Sequence, residues 1–331
     1  MGVFEPEKPS RLTRRMVLGM LASAPAFTTA RAASYPERPV RIMVPYAAGG
    51  ATDVIGRLVA QGLTDRLGKS FFVENRGGAN GMIGTQAIAS SSKDGYNLLV
   101  VASSHPIMGA LYPSITYDPI KDFVPVALVA STPYVLVVPP SLPVKTLQEF
   151  IEYAKKNADQ TSYASAGMGT SQHLGVELLK RVAGFDMLHI PYKGSGVARS
   201  DLLTGRVQFM LDNIAVVLQL INKGDLRALA VTSKTRTSLL PDVPTVAESG
   251  VQNFEIEGWF GLLAPAGTPP DIVKQLNETV NAMLADSSSK ALFAPLGAVP
   301  LGGTSEAFDA FMSSEKQKWT NIIKEANIRA E

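Results

Sequence analysis

Apolar residues recur along this chain in two alternating rhythms. Short unbroken hydrophobic runs are followed, after a turn, by stretches in which apolar residues fall three and four apart. The first rhythm is that of strands buried on both faces, the second that of helices laid across them, and together they predict βαβ units. Val40–Tyr46 reads as a buried strand and Asp53–Leu67 as a helix, with Val54, Ile55, Leu58, Val59, Leu63 and Leu67 on one stripe and Gly68 as its stop. Phe71–Glu74, Leu98–Ala102 and Val124–Ala130 are further strands, with a helix over Gly81–Ser90. Tyr134–Val138 opens a new apolar strand closed by Pro139 and Pro140. Helix Leu147–Lys156, strand Ser162–Ala164, helix Ser171–Val182, strand Met187–Ile190, helix Gly196–Leu203, strand Val207–Leu211, a helix through Leu220 and strand Ala228–Val231 follow in order. Gly258–Ala264 is another strand, and Pro270–Leu284 and Glu306–Ile328 are the last long helices, with Trp319 expected to pack rather than to act.

The alternation predicts an α/β protein, and 331 residues are enough for about two domains of ordinary size. Proline and glycine cluster at 139–143 and 265–270. The expected plan is two crossings, at 134–140 and 254–265. Residues 33–133 and 257–331 then form domain 1, and residues 134–256 form domain 2.

Residues 1–32 stand apart. Lys8, Arg11, Arg14 and Arg15 precede an apolar run, Met16 to Phe27, and Ala30-Arg31-Ala32 offers small residues at a cleavage site. The run is shorter than the roughly 20 residues a membrane span needs. It reads as an export signal peptide cleaved near Ala32. Thr13-Arg14-Arg15-Met16-Val17-Leu18 resembles a twin-arginine signal, with an ordinary Sec signal carrying paired arginines as the alternative. Removing the leader changes the charge. The chain has 31 basic and 29 acidic residues, of which five and two lie in residues 1–32, leaving 26 against 27. That balance gives no support to a nucleic-acid surface. The chain has no cysteine, which excludes disulfides, thiolate metal sites, thiol catalysis and a lipoprotein anchor. The expected product is soluble and periplasmic.

Three segments place glycine, hydroxyl and amide groups where a strand gives way to a helix. In Val44-Pro45-Tyr46-Ala47-Ala48-Gly49-Gly50-Ala51-Thr52-Asp53 the paired glycines permit a tight turn and a close approach to a ligand, and Thr52 or Asp53 is placed to cap the helix. The free N–H groups and positive dipole end of such a helix suit an anion. Ser165-Ala166-Gly167-Met168-Gly169-Thr170-Ser171-Gln172-His173 repeats this chemistry in the other half, with His173 either a packing group or a ligand contact. Glu74-Asn75-Arg76-Gly77-Gly78-Ala79-Asn80-Gly81 is a third such turn, and Ser103-Ser104-His105 adds hydroxyls at the end of another strand. Open α/β sheets bind ligands outside the carboxyl ends of their strands, so two such turns are expected to face each other across a cleft.

Taken in order, these strings resemble the Bug-type extracytoplasmic receptors of the tripartite tricarboxylate transporter family. Tyr35-Pro36-Glu37-Arg38-Pro39-Val40-Arg41, Ile190-Pro191-Tyr192-Lys193-Gly194-Ser195-Gly196 and Leu240-Pro241-Asp242-Val243-Pro244-Thr245-Val246-Ala247-Glu248-Ser249-Gly250 extend the resemblance from about Tyr35 to near the C-terminus. It implies a two-domain periplasmic binding protein of type II-like fold, each domain a mixed sheet flanked by helices. A small carboxylate would be held in the interdomain cleft by the glycine-rich turns of both domains, partly through water, and delivered to a large and a small integral-membrane permease subunit. The family motif often carries proline where this chain has Ala48 and Ala51, which loosens the turn. The candidate ligand contacts follow the strand ends. They are Tyr46, Ala48, Gly49, Gly50, Thr52 and Asp53 in the first turn, then Asn75, Ser103 and Ser104. From the second half come Ala166, Gly167, Gly169, Thr170 and His173, with Tyr192 and Asp212 after two further strands.

The same resemblance allows a receptor that presents its ligand to a membrane sensor kinase. A periplasmic enzyme is the remote alternative: the chain has no Gly-x-Ser-x-Gly elbow, phosphate loop or zinc spacing, and His105, His173 and His189 are far apart in sequence. The expectation is therefore a monomeric binding protein without catalysis, metal or cofactor.

Overall fold

Val40–Val44 (β1) is apolar at four of five positions and, Arg41 apart, buried throughout, as a strand covered on both faces must be. Helix α1, Ala51–Leu67, follows it and stops where Gly68 turns left-handed at φ 70°, its N–H bonding back to the Thr64 carbonyl. The chain continues through Phe71–Asn75 (β2), Met82–Ala89 (α2), Asn97–Ala102 (β3) and a short helix, Met108–Leu111 (α3). Phe123–Val138 is β4, 16 residues long. Beyond it lie Leu147–Lys156 (α4), Ser162–Ser165 (β5), Ser171–Ala183 (α5), Leu188–Pro191 (β6), Ser195–Leu203 (α6), Phe209–Asn213 (β7), Ile214–Lys223 (α7) and Arg227–Val231 (β8). Glu257–Pro265 (β9), Pro270–Ala285 (α8), Ser287–Phe293 (α9), Val299–Pro300 (β10) and Ser305–Glu325 (α10) complete the chain.

The structure is a computed structural model that describes residues 1–5, 35–112, 114–252 and 254–325. It forms two compact units, Met1–Glu37 and Arg38–Glu331, and every strand and helix from β1 to α10 belongs to the second. The export signal, its cleavage position and the last residues of the expected C-terminal helix lie outside the described residues.

The strands run in the order β2-β1-β3-β9-β4-β7-β5-β6, with β8 and β10 also paired to β4. On one side β1, β2 and β3 are parallel, and on the other β5, β6 and β7. Between them β9 and β4 run antiparallel to their neighbours. Each half is therefore a mixed sheet, three parallel strands closed by an antiparallel one. Strand β4 belongs to both. It pairs with β9 as far as Pro133, with β7 from Tyr134 and with β8 from Val135 onward. We call the β1–β3 half lobe 1 and the β5–β7 half lobe 2.

Sequence reading breaks this strand in two at Pro133. The proline lacks an N–H, yet it sits where β4 changes partners, so the missing donor interrupts neither ladder. Helix α10 packs against both halves. Phe308 and Met312 of α10 pack with Met43, Leu99 and Trp259. Trp319 and Ile323 of the same helix join a cluster with Leu136, Leu174 and Ile256. Trp319 is 1% exposed, its indole N–H donating to Glu315, a packing residue as expected.

Candidate functional site

The carboxyl ends of β1 and β3 in lobe 1, and of β5, β6 and β7 in lobe 2, meet around one pocket. Its wall is built by Tyr46, Gly50, Ala51 and Thr52 after β1, Ala102 and Ser104 at β3, and Phe260 on β9. The opposite wall is Tyr134, Ala166, Thr170, Ser171, Gln172, Ser195 and Asn213. The pocket has a cavity volume of about 50 Å³. That is a narrow slot, well below the roughly 300–1,000 Å³ of sites for drug-sized ligands. Among the described residues, no wall residue is Lys, Arg, His, Asp or Glu.

Four helices begin at this wall: α1 at Ala51, α5 at Ser171, α6 at Ser195 and α7 at Ile214, beside Asn213. The first N–H groups of a helix lack intrahelical partners and carry the positive end of its dipole. The slot is thus positively polarised without any cationic side chain. Asn213 adds an amide. Its Oδ1 accepts from Thr132 at 2.6 Å and from the Ala215 N–H at 3.3 Å, which leaves the NH2 as the group it can offer a ligand.

The first turn differs in detail from the sequence reading. Helix α1 is capped by Gly50, with no side-chain cap; Thr52 and Asp53 lie inside the first turn. Asp53 reaches back to accept the Gly49 N–H at 3.0 Å, and also takes Asn75 Nδ2 and Arg57, each at 3.0 Å. Burial would raise this carboxyl, but these donors outweigh it and hold its pKa below the usual range. Asp53 therefore fixes the turn from behind. Gly49 has φ 85°, where a Cβ is strained; Gly50 has φ −87°, and a Cβ there would lie in tight contact with Ser195 Oγ, at 3.1 Å.

In the second turn Thr170 caps α5, accepting the His173 N–H at 3.3 Å and donating its own proton to the Gly167 carbonyl at 2.8 Å. His173 Nδ1 accepts the Gly169 N–H at 3.0 Å. Its ring stacks on His189 at 4.1 Å between centroids, and His189 stacks on Tyr163 at 4.7 Å. These contacts give His173 a packing and turn-supporting role.

The lobes touch around the slot. The Ala47 N–H donates to Lys193 O at 3.3 Å, Ser103 Oγ lies 2.8 Å from Ser171 Oγ, and Tyr112 OH donates to Met168 O at 2.6 Å. Tyr46 OH meets Ser104 Oγ at 3.2 Å and Tyr134 OH meets Ser103 Oγ at 3.4 Å. Burial raises both phenols, Tyr134 to about 12, so they stand as neutral donors at neutral pH.

Residues 55–328 match the family described as tripartite tricarboxylate transporter family receptor. The chain belongs to that family. It is 40% identical over 316 residues to protein BugT of Bordetella pertussis, covering 95% of this chain and 97% of BugT. It is also similar to the solved periplasmic binding protein BugD, at 39% identity and TM-score 0.86, over 89% of this chain and 99% of BugD. R. palustris Rpa4515, solved with adipate, is 36% identical with TM-score 0.87, over 89% of this chain and 99% of its own. The fold is accordingly that of the two-domain periplasmic binding proteins, and the chain is a solute-binding receptor of the tricarboxylate transporter family.

Within this receptor fold the residues singled out in the sequence divide into two groups. Tyr46, Gly50, Thr52, Ser104, Ala166 and Thr170 line the slot. Ala48, Gly49, Asp53, Asn75, Ser103, Gly167, Gly169, His173, Tyr192 and Asp212 stand outside its wall. Tyr192 donates to Asp201 at 2.6 Å, and Asp212 is wholly buried. Arg76, in the third glycine-rich turn, lines a separate surface groove with Ile83 and Thr116. Sequence reading missed Ala51, Ala102, Tyr134, Ser171, Gln172, Ser195, Asn213 and Phe260 as wall residues. For Ser195 and Asn213 a signal existed: each follows a predicted strand at the start of a predicted helix, the same position that drew attention to Gly50 and Thr170. Tyr134 and Phe260 lie within strands, and only the tertiary fold brings them to the slot.

All three histidines are held neutral. Burial lowers His105 to about 4, His173 to about 4 and His189 to about 3, the last also pushed down by its stacked neighbour. Their unfolded value is about 6.5. A depressed folded pKa stabilises fully above the unfolded value, and that stability is lost as pH falls through the folded values. The melting temperature should therefore decline from about pH 6.5 toward pH 4. His173→Gln should flatten that slope, and calorimetric scans of both proteins across the range check it; parallel slopes would contradict this reading of His173.

Proposed function

We propose that the slot binds the carboxylate of a small organic acid in the periplasm and that the loaded protein delivers it to the membrane permease subunits of a tripartite tricarboxylate-type transporter. The observation that carries this reading is the convergence of four helix N-termini on a pocket with no charged wall residue. An anion is the ligand such a pocket favours, because unpaired N–H groups and aligned dipoles stabilise negative charge. A carboxylate fits better than a larger anion because the space is narrow and the glycine turns are bare. Adipate in the related R. palustris protein supports the same class. The two lobes act as the two domains, with hinges where β4 passes Pro133 and where the chain returns into β9. Tyr46, Gly50, Thr52, Ser104, Ala166 and Thr170 contact the ligand in this reading, joined by Ser195 and Asn213.

The test is a thermal-shift screen of purified protein against acetate, malate, adipate, citrate and benzoate. One or more should raise the melting temperature by several degrees at a hundredfold excess over its Kd, where linkage supplies about 2.7 kcal/mol. No shift with these or a wider set of mono-, di- and tricarboxylates would overturn the reading.

A further inference from the structure

Arg199 stands on α6, beyond the slot wall, and its side chain is 12% exposed. Its guanidinium forks. Nη1 donates to Asp212 Oδ2 at 2.8 Å, and Nη2 donates to the Gly49 carbonyl oxygen at 2.9 Å. Arg199 and Asp212 belong to lobe 2, whereas Gly49 belongs to the lobe 1 turn. Asp212 is buried completely, and its other oxygen accepts Gln172 Nε2 and the Asn213 N–H, both at 2.8 Å. Gln172 in turn accepts the Ala166 N–H at 2.9 Å. One buried carboxylate is thus tied to both glycine-rich turns, through Gln172 within its own lobe and through Arg199 across the slot.

We propose that Arg199, braced by Asp212, is the clasp of the closed receptor: a positioning residue that joins lobe 2 to the Gly49 turn and holds that turn in its binding geometry without touching the ligand. The proposal rests on reading the slot as the ligand site. The bond to Gly49 crosses from lobe to lobe, so it exists only while the lobes are together. Two features suit the guanidinium to this use. Its planar fork reaches two acceptors at once, which an ammonium does not do with the same geometry. It is also already paired, so no unpaired charge is left buried when the lobes part. Hydrogen bonds to charged groups are the strong ones, and one such bond shifts a closed-to-open ratio by roughly 10- to 100-fold. A ligand that binds only the closed form loses apparent affinity as that form is depleted.

The absence of cysteine makes the test direct. Lys69→Cys in lobe 1 and Lys155→Cys in lobe 2, both exposed positions, carry spin labels whose separation pulsed electron resonance reads. The labelled parent is compared with Arg199→Lys, which keeps a charge beside Asp212 but loses the fork. It is also compared with Arg199→Gln/Asp212→Asn, which removes the buried pair as a unit and guards against misfolding. Without ligand, both variants should shift toward the longer separation, their closed-to-open ratio falling about 10- to 100-fold. The dissociation rate of the tightest binder among acetate, malate, adipate and benzoate should rise by a similar factor. Distance distributions identical to the parent's in both folded variants would overturn the clasp. If the parent binds none of the mono-, di- and tricarboxylates of the wider screen, the proposed ligand class fails, while the ligand-free distances still decide on Arg199.

Discussion

Replacing Gly50 with valine should weaken ligand binding by about 10²- to 10⁴-fold while leaving the lobes folded. Gly50 lies in extended backbone, so a β-branched residue meets no φ penalty there. What it meets is Ser195: even a Cβ would come within 3.1 Å of the Oγ, and valine adds two methyl groups beyond it. Ser195 begins α6 in the opposite lobe, so the added bulk both fills the slot and wedges the lobes apart. The ligand is thereby denied hydrogen bonds from backbone N–H groups to its charged acceptor, roughly 1.5–3 kcal/mol each, and the loss of two such bonds accounts for the weakening. Calorimetric titration of the variant, with circular dichroism to confirm its fold, checks this. Gly49→Val should damage binding by a different route, since its φ of 85° excludes valine and the cost falls on the turn itself.

Asp212→Ala should destabilise the fold by about 3–5 kcal/mol, the usual cost of removing one partner of a buried ion pair. The carboxylate has no exposed surface and Arg199 is 12% exposed, so little solvent screens the charge left behind. Burial pushes the Asp212 carboxyl up, and Arg199, the Asn213 N–H and Gln172 oppose that push. Removing it also strands Gln172 Nε2 and the Asn213 N–H. Urea unfolding followed by fluorescence of Trp259 and Trp319 reports the loss, and a change below about 1 kcal/mol would contradict this account of the pair. The expected effect on ligand binding is secondary and comes from loosening both turns.

Much of this was legible in the residues because periodicity reports burial. The βαβ rhythm located almost every strand and helix of both lobes, and glycine beside a hydroxyl at a strand end marked Gly50 and Thr170. What escaped has physical reasons. Pro133 reads as a break unless the change of partners along β4 is known. The roles of Asp53 and Asp212 were hidden because both face away from the slot and act through backbone groups and side chains brought near by the fold. Arg199 gave no signal at all: a lone arginine on an amphipathic helix is indistinguishable in sequence from a solvated one. Tyr134 and Phe260 lie on different strands, 126 positions apart in the numbering, and reach opposite walls of one slot only through the pairing of β4 with β9.

In the proposed binding mode, helix N-termini and neutral donors, without a cationic side chain on the described slot wall, hold a carboxylate. The most direct measurement is a calorimetric titration of the receptor with its best acid from the screen and with the matching primary amide. The amide keeps the shape and removes the charge. The acid should bind with a Kd on the order of micromolar or tighter, and the amide should lose at least about 100-fold. Equal affinity for acid and amide would contradict it.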